Sequence, residues 1–455
     1  VGQPIYANSR FMKYVMGINA FSQATIGMTL GFASVVEISS VVARTGFRSA
    51  LQQMPEIKEA GKIFTMGIRD LATGRQGLGL STLRDDFTAC LETFTGVAGD
   101  YRRGDHFMRR LDDMGLDDDY MGSGALRFLE YGRQAAALNP LGVMPMDTFL
   151  RRWAVRASFQ HFVNEAYKIG PDGKAALSKG FWKNSEVRFK QIGMTGEDLE
   201  RLGVALRNPE LVTTEAGMFG RYTVKNFDLS QVADQEIIDK FALALRRHSD
   251  HMVQRQSLGE TPYWMNTQFG KLIAQYRVFS LAAKGKQLAA GVARGDAHEA
   301  VNFVGGCGLG ILSYQALSYY RAAGMDENER AAYLKKRFED DNLIKAGLLR
   351  GSYSSIFPAL MDSAAWMVGG EPYFDPSMRT TGLGLDPIMG SVPGNLIWKK
   401  AVPAARELTG LAFRGDRMSQ DDARTYQSLL WVSKLPGLDQ TLNRFFISKL
   451  PQKDR

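Results

Sequence analysis

The sequence predicts a mostly α-helical protein, an extended multi-helical bundle with long irregular loops and little or no β-sheet. Apolar residues recur at helical spacing in segments of about 10 to 25 residues, separated by glycines and short loops. Residues typical of helix starts precede several segments. Alternating polar and apolar runs, which would indicate strands, are hard to find. Hydrophobic residues make up 45% and charged residues 23% of the 455 positions, which are ordinary proportions for a folded chain.

Individual helices can be located from their apolar faces and their ends. The apolar residues between Phe149 and Tyr167 are distributed around a helix, which ends at the turn at 170–173. Thr195 and Asp198 have the separation of a capping box, in which each side chain bonds to the backbone of the other. Further helix starts are expected at Asp228 or Ser230, at Asp326, and at Ser419 or Asp422.

Turn-rich joints divide the chain into three predicted regions. These are an N-terminal helical region at 1–125, a middle helical domain at 126–258 and a C-terminal helical domain at 259–455. The last region contains a proline-rich stretch at 371–393, which we expect to form an extended arm or a long functional loop.

Charge and cysteine content restrict the class of protein. The chain has 56 Lys and Arg against 48 Asp and Glu, a net charge of +8, which suits an acidic partner such as nucleic acid or an anionic lipid surface. The excess is spread along the chain, so a soluble basic protein without such a partner is the alternative. Two cysteines that form no CxxC pair predict a protein made in a reducing compartment, without a disulfide framework.

Small residues recur near the N-terminus with separations of three or four, which places them on one helix face. Such a face lets another backbone approach closely, in a soluble bundle or in a membrane. Asn19, Gln23, Thr25 and Thr29 make a permanent membrane span unfavourable, so we expect a packing surface that also assembles copies of the protein. Its members are Gly17, Ala20, Ala24, Gly27, Gly31 and Ser34.

A second uncharged stretch runs over 300–320 and is rich in glycine. It lacks the GxGxxG spacing and the following Lys-Ser/Thr of a phosphate-binding loop, so a close-packed helix or a hinge is predicted. The stretch is long enough to span a bilayer, but Asn302, Ser313 and Gln315 lower its hydropathy. A buried helix is therefore expected, with membrane insertion in another state as the alternative. The hinge candidates are Gly305, Gly306, Gly308 and Gly310.

A basic amphipathic helix is predicted between Met265 and Val292. Its apolar face carries aromatic and aliphatic residues, and its charged positions include no acid. Such a helix can lie on an anionic membrane, contact DNA phosphates without reading sequence, or present a solvated face of a bundle. The candidate contacts to phosphates or lipids are Lys271, Arg277, Lys284, Lys286 and, just beyond the helix, Arg294.

No motif predicts a catalytic site, a metal site or a cofactor. His248 and His251 share a helix face, but nearby arginines disfavour a cation and a third ligand is not evident. The acidic cluster at 112–119 lacks the ligand order of a calcium loop. Cys90 has no basic neighbour in the sequence and is interpreted as a core thiol. No GxSxG motif supports a serine nucleophile.

Several segments, taken in order, resemble a known family. The segments at 259–262, 269–279, 286–288, 294–296 and 379–383, together with the Leu450-Pro451 tail, are similar to the C-terminal region of the large internal virion proteins, or ejection proteins, of T7-type short-tailed phages. The small-residue helix leading to Glu37 and Ala43-Arg44-Thr45-Gly46 fits the same family.

The resemblance implies a structural virion protein that oligomerises in the capsid core, stacked on the portal. At infection it would leave the particle and help form a conduit for phage DNA through the periplasm and inner membrane. The implied partners are further copies, other core proteins, the portal, double-stranded DNA bound without sequence specificity, and the host membrane.

Two alternatives stay open at this point. Some relatives carry a peptidoglycan-cleaving lytic transglycosylase domain, but Glu37 lacks that enzyme's following serine and second motif, so such a domain, or another enzyme domain, would lie outside these residues and this stretch is expected not to be an enzyme. A purely structural scaffold that packs DNA in the virion core is the other alternative.

Overall fold

The computed structural model confirms the mostly α-helical class. Within the described part of the chain, a single two-stranded antiparallel hairpin is the only sheet. The described residues are 10–26, 31–55, 57–74, 83, 85–96, 123–166, 185–217, 221–231, 234–253, 267, 291, 297–351, 361, 373–374, 418–429 and 438–451.

The helices and strands are numbered in chain order. The first half contains α1 Arg10–Ile26, α2 Gly31–Ser34, α3 Glu37–Gln52, α4 Ile57–Thr73, α5 Asp86–Phe94, α6 Ser123–Leu138 and α7 Val143–Ala166. The middle contains α8 Ser185–Ile192, α9 Gly196–Leu206, β1 Val212–Gly217, β2 Arg221–Phe227 and α10 Gln235–Met252. The last part contains α11 Ala297–Ala322, α12 Glu327–Arg337, α13 Asp340–Arg350, α14 Gln420–Leu429 and α15 Leu438–Phe445.

Helix α7 lies at the centre of the first two regions. It contacts α3, α4, α5 and α6, which precede it in the chain, and α9, α10 and β2, which follow it. Its apolar residues are distributed around the whole helix, as the sequence predicted, because partners cover it on several sides. Trp153 is 3% exposed, and its indole N–H donates to the Ala50 carbonyl of α3 at 2.8 Å.

The first core cluster joins the predicted N-terminal and middle regions. It brings Val41 of α3 and Ile63 of α4 against Leu150, Trp153 and Ala154 of α7. Residues on both sides of position 125 therefore share one hydrophobic core, and the three-region division stays a prediction.

The second core cluster is dominated by aromatic rings. Phe159 of α7 packs against Phe227 of β2, with ring centroids 4.9 Å apart, and against Phe241 of α10 at 5.5 Å. Phe162 lies 5.1 Å from Phe241 in an edge-on arrangement. Tilted and edge-on ring pairs of this kind add stabilisation beyond their buried area.

The β1–β2 hairpin was not predicted from the sequence. Val212 pairs with Phe227, and the register shifts by one residue between Thr213 and Thr214. This irregularity interrupts the strict alternation of polar and apolar residues by which a strand is recognised. The hairpin is held by its contacts with α5 and α7.

The observed helix starts agree with the predicted ones in three places and differ in one. Thr195 and Asp198 form the predicted capping box of α9, Asp326 precedes α12, and Ser419 with Asp422 caps α14. The helix start expected at Asp228 or Ser230 is wrong. A 3-10 turn at Leu229–Gln231 occupies that position, and α10 begins at Gln235, where Asp234 accepts a hydrogen bond from the Ile237 amide.

Candidate membrane and assembly surface

Helix α11 contains the predicted glycine-rich stretch and packs against other helices along one face. That face contacts α13, α3 and α2. Ser313 donates to the Phe32 carbonyl at 2.7 Å, and Arg350 of α13 donates to the Ser313 hydroxyl at 3.2 Å. Asn302, Ser313 and Ser318 are each 2% exposed or less. The polar residues that lowered the hydropathy of this stretch are therefore largely turned towards the protein.

The opposite face of α11 is an exposed apolar surface. Val301, Val304, Leu312 and Tyr319 are 54%, 67%, 58% and 57% exposed. Exposed small residues also lie between them on the same face. We call the set the α11 stripe, and its members are Val301, Val304, Gly308, Leu312, Ala316 and Tyr319.

The length of the α11 stripe is comparable with the apolar part of a bilayer. From Val301 to Tyr319 the helix rises about 27 Å, against about 30 Å for a hydrocarbon core. Within the described residues, Glu299–Ala322 is the one segment with the length and hydropathy of a membrane span, and only 33% of its most apolar window is buried. The uncharged stretch was evident from the sequence, but the stripe was not predicted, although small or apolar residues recur in it at every third or fourth position.

The four hinge candidates lie inside α11, which continues through all of them. Gly306 and Gly310 are buried, whereas Gly308 is exposed and a Cβ atom there would meet nothing within 4 Å. Gly310 lies against Gly347 of α13, where the two helices cross. In this conformation the glycines belong to a close-packed helix, and bending at them stays a prediction.

Most of the predicted small-residue face lies at contacts within the chain. Ala20 packs with Leu126 and Leu129 of α6, and Ala24 belongs to the first core cluster. The Gly31 amide donates to the Leu141 carbonyl at 2.9 Å. Ser34 is buried, Gly17 is half-buried, and Gly27 lies outside the described residues.

All five basic candidates, namely Lys271, Arg277, Lys284, Lys286 and Arg294, also lie outside the described residues, as does most of the proline-rich stretch at 371–393.

The remaining candidates for a chemical role, His248 and Cys90, have surroundings typical of structural residues. Among the described residues, no three His, Cys, Asp or Glu side chains are grouped so that they could hold a metal ion. His248 is 9% exposed, and its ring centroid lies 6.0 Å from that of His161. The Cys90 thiol donates to the Phe227 carbonyl at 3.2 Å, and burial together with the Asp228 carboxylate raises the pKa of Cys90. A raised pKa disfavours the nucleophilic thiolate.

The described residues therefore form a well-packed helical protein in which one helix, α11, has an exposed apolar face. Comparison of the chain with protein-family models, with curated proteins and with solved structures found no match.

Proposed function

We propose that this chain is a structural internal virion protein that oligomerises in a phage capsid core and is then ejected to help form a DNA conduit through the host envelope. The α11 stripe carries this proposal. It combines an apolar outer face of nearly bilayer length with polar residues turned inwards. An exposed apolar surface of this kind is characteristic of an interaction site with protein or lipid.

The two stages of the proposal give the stripe two successive partners. In the capsid core a neighbouring copy or another core protein would cover it. After ejection the hydrocarbon of the host membrane would replace that partner. Helices suit such an exchange because they satisfy their backbone hydrogen bonds internally, which a bilayer requires.

Other features of the chain support the same proposal. The net charge of +8 favours a protein that lies near DNA. Neither cysteine forms a disulfide, so no such bond would oppose unfolding and refolding during ejection. The sequence resemblance to T7-type ejection proteins supplies the phage setting.

Flotation with phosphatidylglycerol-containing vesicles tests the membrane stage. The wild-type protein is expected to float with the vesicles, and the double variant V304K/L312K, which places charges on the stripe, is expected to remain at the bottom. V204K/L243K is the matched control, since Val204 and Leu243 are exposed at 72% and 49% on α9 and α10 and the charge change is identical.

Two outcomes of the flotation experiment would count against the proposal. Flotation of V304K/L312K equal to that of V204K/L243K would refute the role of the stripe. A wild-type protein that oligomerises and binds DNA but never floats, at low or high salt, would favour the DNA-packing scaffold over the conduit.

A further inference from the structure

Three arginines from three consecutive helices converge around Tyr314 of α11. Arg337 of α12 donates to the Tyr314 hydroxyl at 3.1 Å, and its guanidinium carbon lies 5.5 Å from the ring centroid. The guanidinium carbon of Arg350, on α13, lies 5.5 Å from the same centroid. Tyr314 itself is only 1% exposed, so the ring fixes two cations against a rigid support.

The third arginine connects this group to the surface. The side chain of Arg321, on α11, interacts electrostatically with Tyr333 and Arg337, and the guanidinium carbon of Arg337 lies 5.2 Å from the Tyr333 ring centroid. Exposure increases across the group: Arg350 is buried, Arg337 and Tyr333 are half-buried, and Arg321 is exposed. Arg321 is therefore the member of the group in contact with solvent.

The three cations repel one another. Burial, reinforced by repulsion from Arg321 and Arg337, lowers the pKa of Arg350 to about 10. Guanidinium groups stay charged at neutral pH even so. The repulsion is therefore present in the folded protein, and an anion placed among the three groups would relieve it.

We propose that Arg321, Arg337 and Arg350, with the hydroxyls of Tyr314 and Tyr333, form a binding site for a compact phosphate group. A phosphate dianion has enough oxygens to accept hydrogen bonds from several guanidinium groups and a hydroxyl at once, whereas a carboxylate has two. Buried Arg350 cannot reach the backbone of a DNA duplex, so the ligand is a free phosphate or the phosphate of a small molecule or lipid headgroup.

This site is separate from the α11 stripe and does not depend on the proposed function. Tyr319 of the stripe and Arg321 are two positions apart, and two helical positions rotate the side chains by about 200° around the axis. They therefore project to opposite sides of α11. The phosphate site can be present whether or not the stripe contacts a membrane.

Calorimetric titration tests the site with three probes: inorganic phosphate, adenosine monophosphate and dihexanoyl phosphatidic acid, each at constant ionic strength. We expect at least one probe to bind the wild-type protein, and R321Q and R337Q to weaken its affinity about ten- to a hundredfold through loss of a charge-assisted hydrogen bond. The probe that binds most tightly identifies the source of the phosphate.

R330Q is the matched control, since it removes the same charge from an exposed position near the start of α12. It should bind as the wild-type protein does. Failure of all three probes, or equal weakening by R330Q and R321Q, would overturn the site. A second readout covers misfolding: without phosphate, R321Q should melt at or above the wild-type temperature, because one repelling charge is gone. A lower melting temperature for R321Q than for R330Q would contradict the proposed repulsion.

Discussion

Gly310 and Gly347 lie against each other where α11 crosses α13. A Cβ atom on Gly310 would lie 3.0 Å from the Gly347 carbonyl oxygen, and one on Gly347 would lie 2.9 Å from the Ile311 side chain and 3.0 Å from the Cys307 carbonyl oxygen. Only residues without a side chain allow the two helices to approach this closely.

Substitution G347A is therefore expected to destabilise the protein by about 1–3 kcal/mol, as overpacking of a tight contact does. G308A is the matched control on α11, where a Cβ atom meets nothing within 4 Å. It should stabilise the protein by about 0.5–1 kcal/mol, because alanine favours a helix over glycine. Thermal melts of both variants measure the difference, and equal melting temperatures would contradict the close crossing.

Gly31 gives a second prediction about tight packing. A Cβ atom there would lie 2.6 Å from the Gly142 carbonyl oxygen and 2.7 Å from that of Leu141. G31A should therefore destabilise the single chain itself by about 1–3 kcal/mol. G61A, at an open position of α4, should not. Melting curves together with light scattering separate folding from assembly: a G31A protein that melts normally and only fails to oligomerise would assign Gly31 to the interface between copies.

Arg152 and Glu92 form a buried ion pair at 3.1 Å, with side chains 2% and 5% exposed. Loss of one partner leaves the other buried charge without this ion pair, so R152M and E92L should each destabilise the protein by about 3–5 kcal/mol. The double variant R152M/E92L should be more stable than either single variant, because no charge remains buried. Urea unfolding of the three variants completes the double-mutant cycle, and additive losses would show that the pair is not coupled.

Asp198 predicts a dependence of stability on pH. Hydrogen bonds from the Thr195 backbone and side chain and from Lys240 lower the pKa of Asp198 below its ordinary value near 3.8, despite the opposing effect of burial. A lowered pKa in the folded state stabilises the protein at neutral pH, and this stabilisation is lost as the pH falls below about 3.8.

D198A should therefore be about 1 kcal/mol less stable than the wild-type protein at pH 7, the usual effect of losing a helix cap. The difference should shrink towards pH 3, because the Asp198 carboxylate of the unfolded wild-type protein takes up a proton below about pH 3.8, whereas the lowered pKa in the folded state resists this. Denaturant melts at both values measure it, and a difference that stays constant with pH would mean that the charge of Asp198 contributes nothing.

Elements whose signals are local could be predicted from the sequence. The capping box at Thr195 and Asp198 and the helix centred on Trp153 follow from residue spacing alone, and both are present. The hairpin was missed because its irregular register between Thr213 and Thr214 hides the strand pattern. The start of α10 was misplaced because Asp228, Ser230 and Asp234 all resemble helix caps and only the fold selects among them.

The candidate sites depended more strongly on tertiary packing. Hydropathy treats Asn302 and Ser313 as diluting the apolar stretch, whereas the fold turns both inwards and leaves the outer face apolar. The arginine site around Tyr314 has no sequence signature, because its members come together only when α11, α12 and α13 pack. Residue types indicated which segments are important, but the direction in which each side chain points could not be predicted from the sequence.

The central position of α7 has a practical consequence for dividing the protein into pieces. Val41 and Ile63, from α3 and α4, cover the side of α7 that contains Leu150 and Trp153. A shortened chain starting at residue 126 would expose that side to water and should aggregate when expressed alone. Pieces meant to fold independently must keep α3, α4 and α7 together.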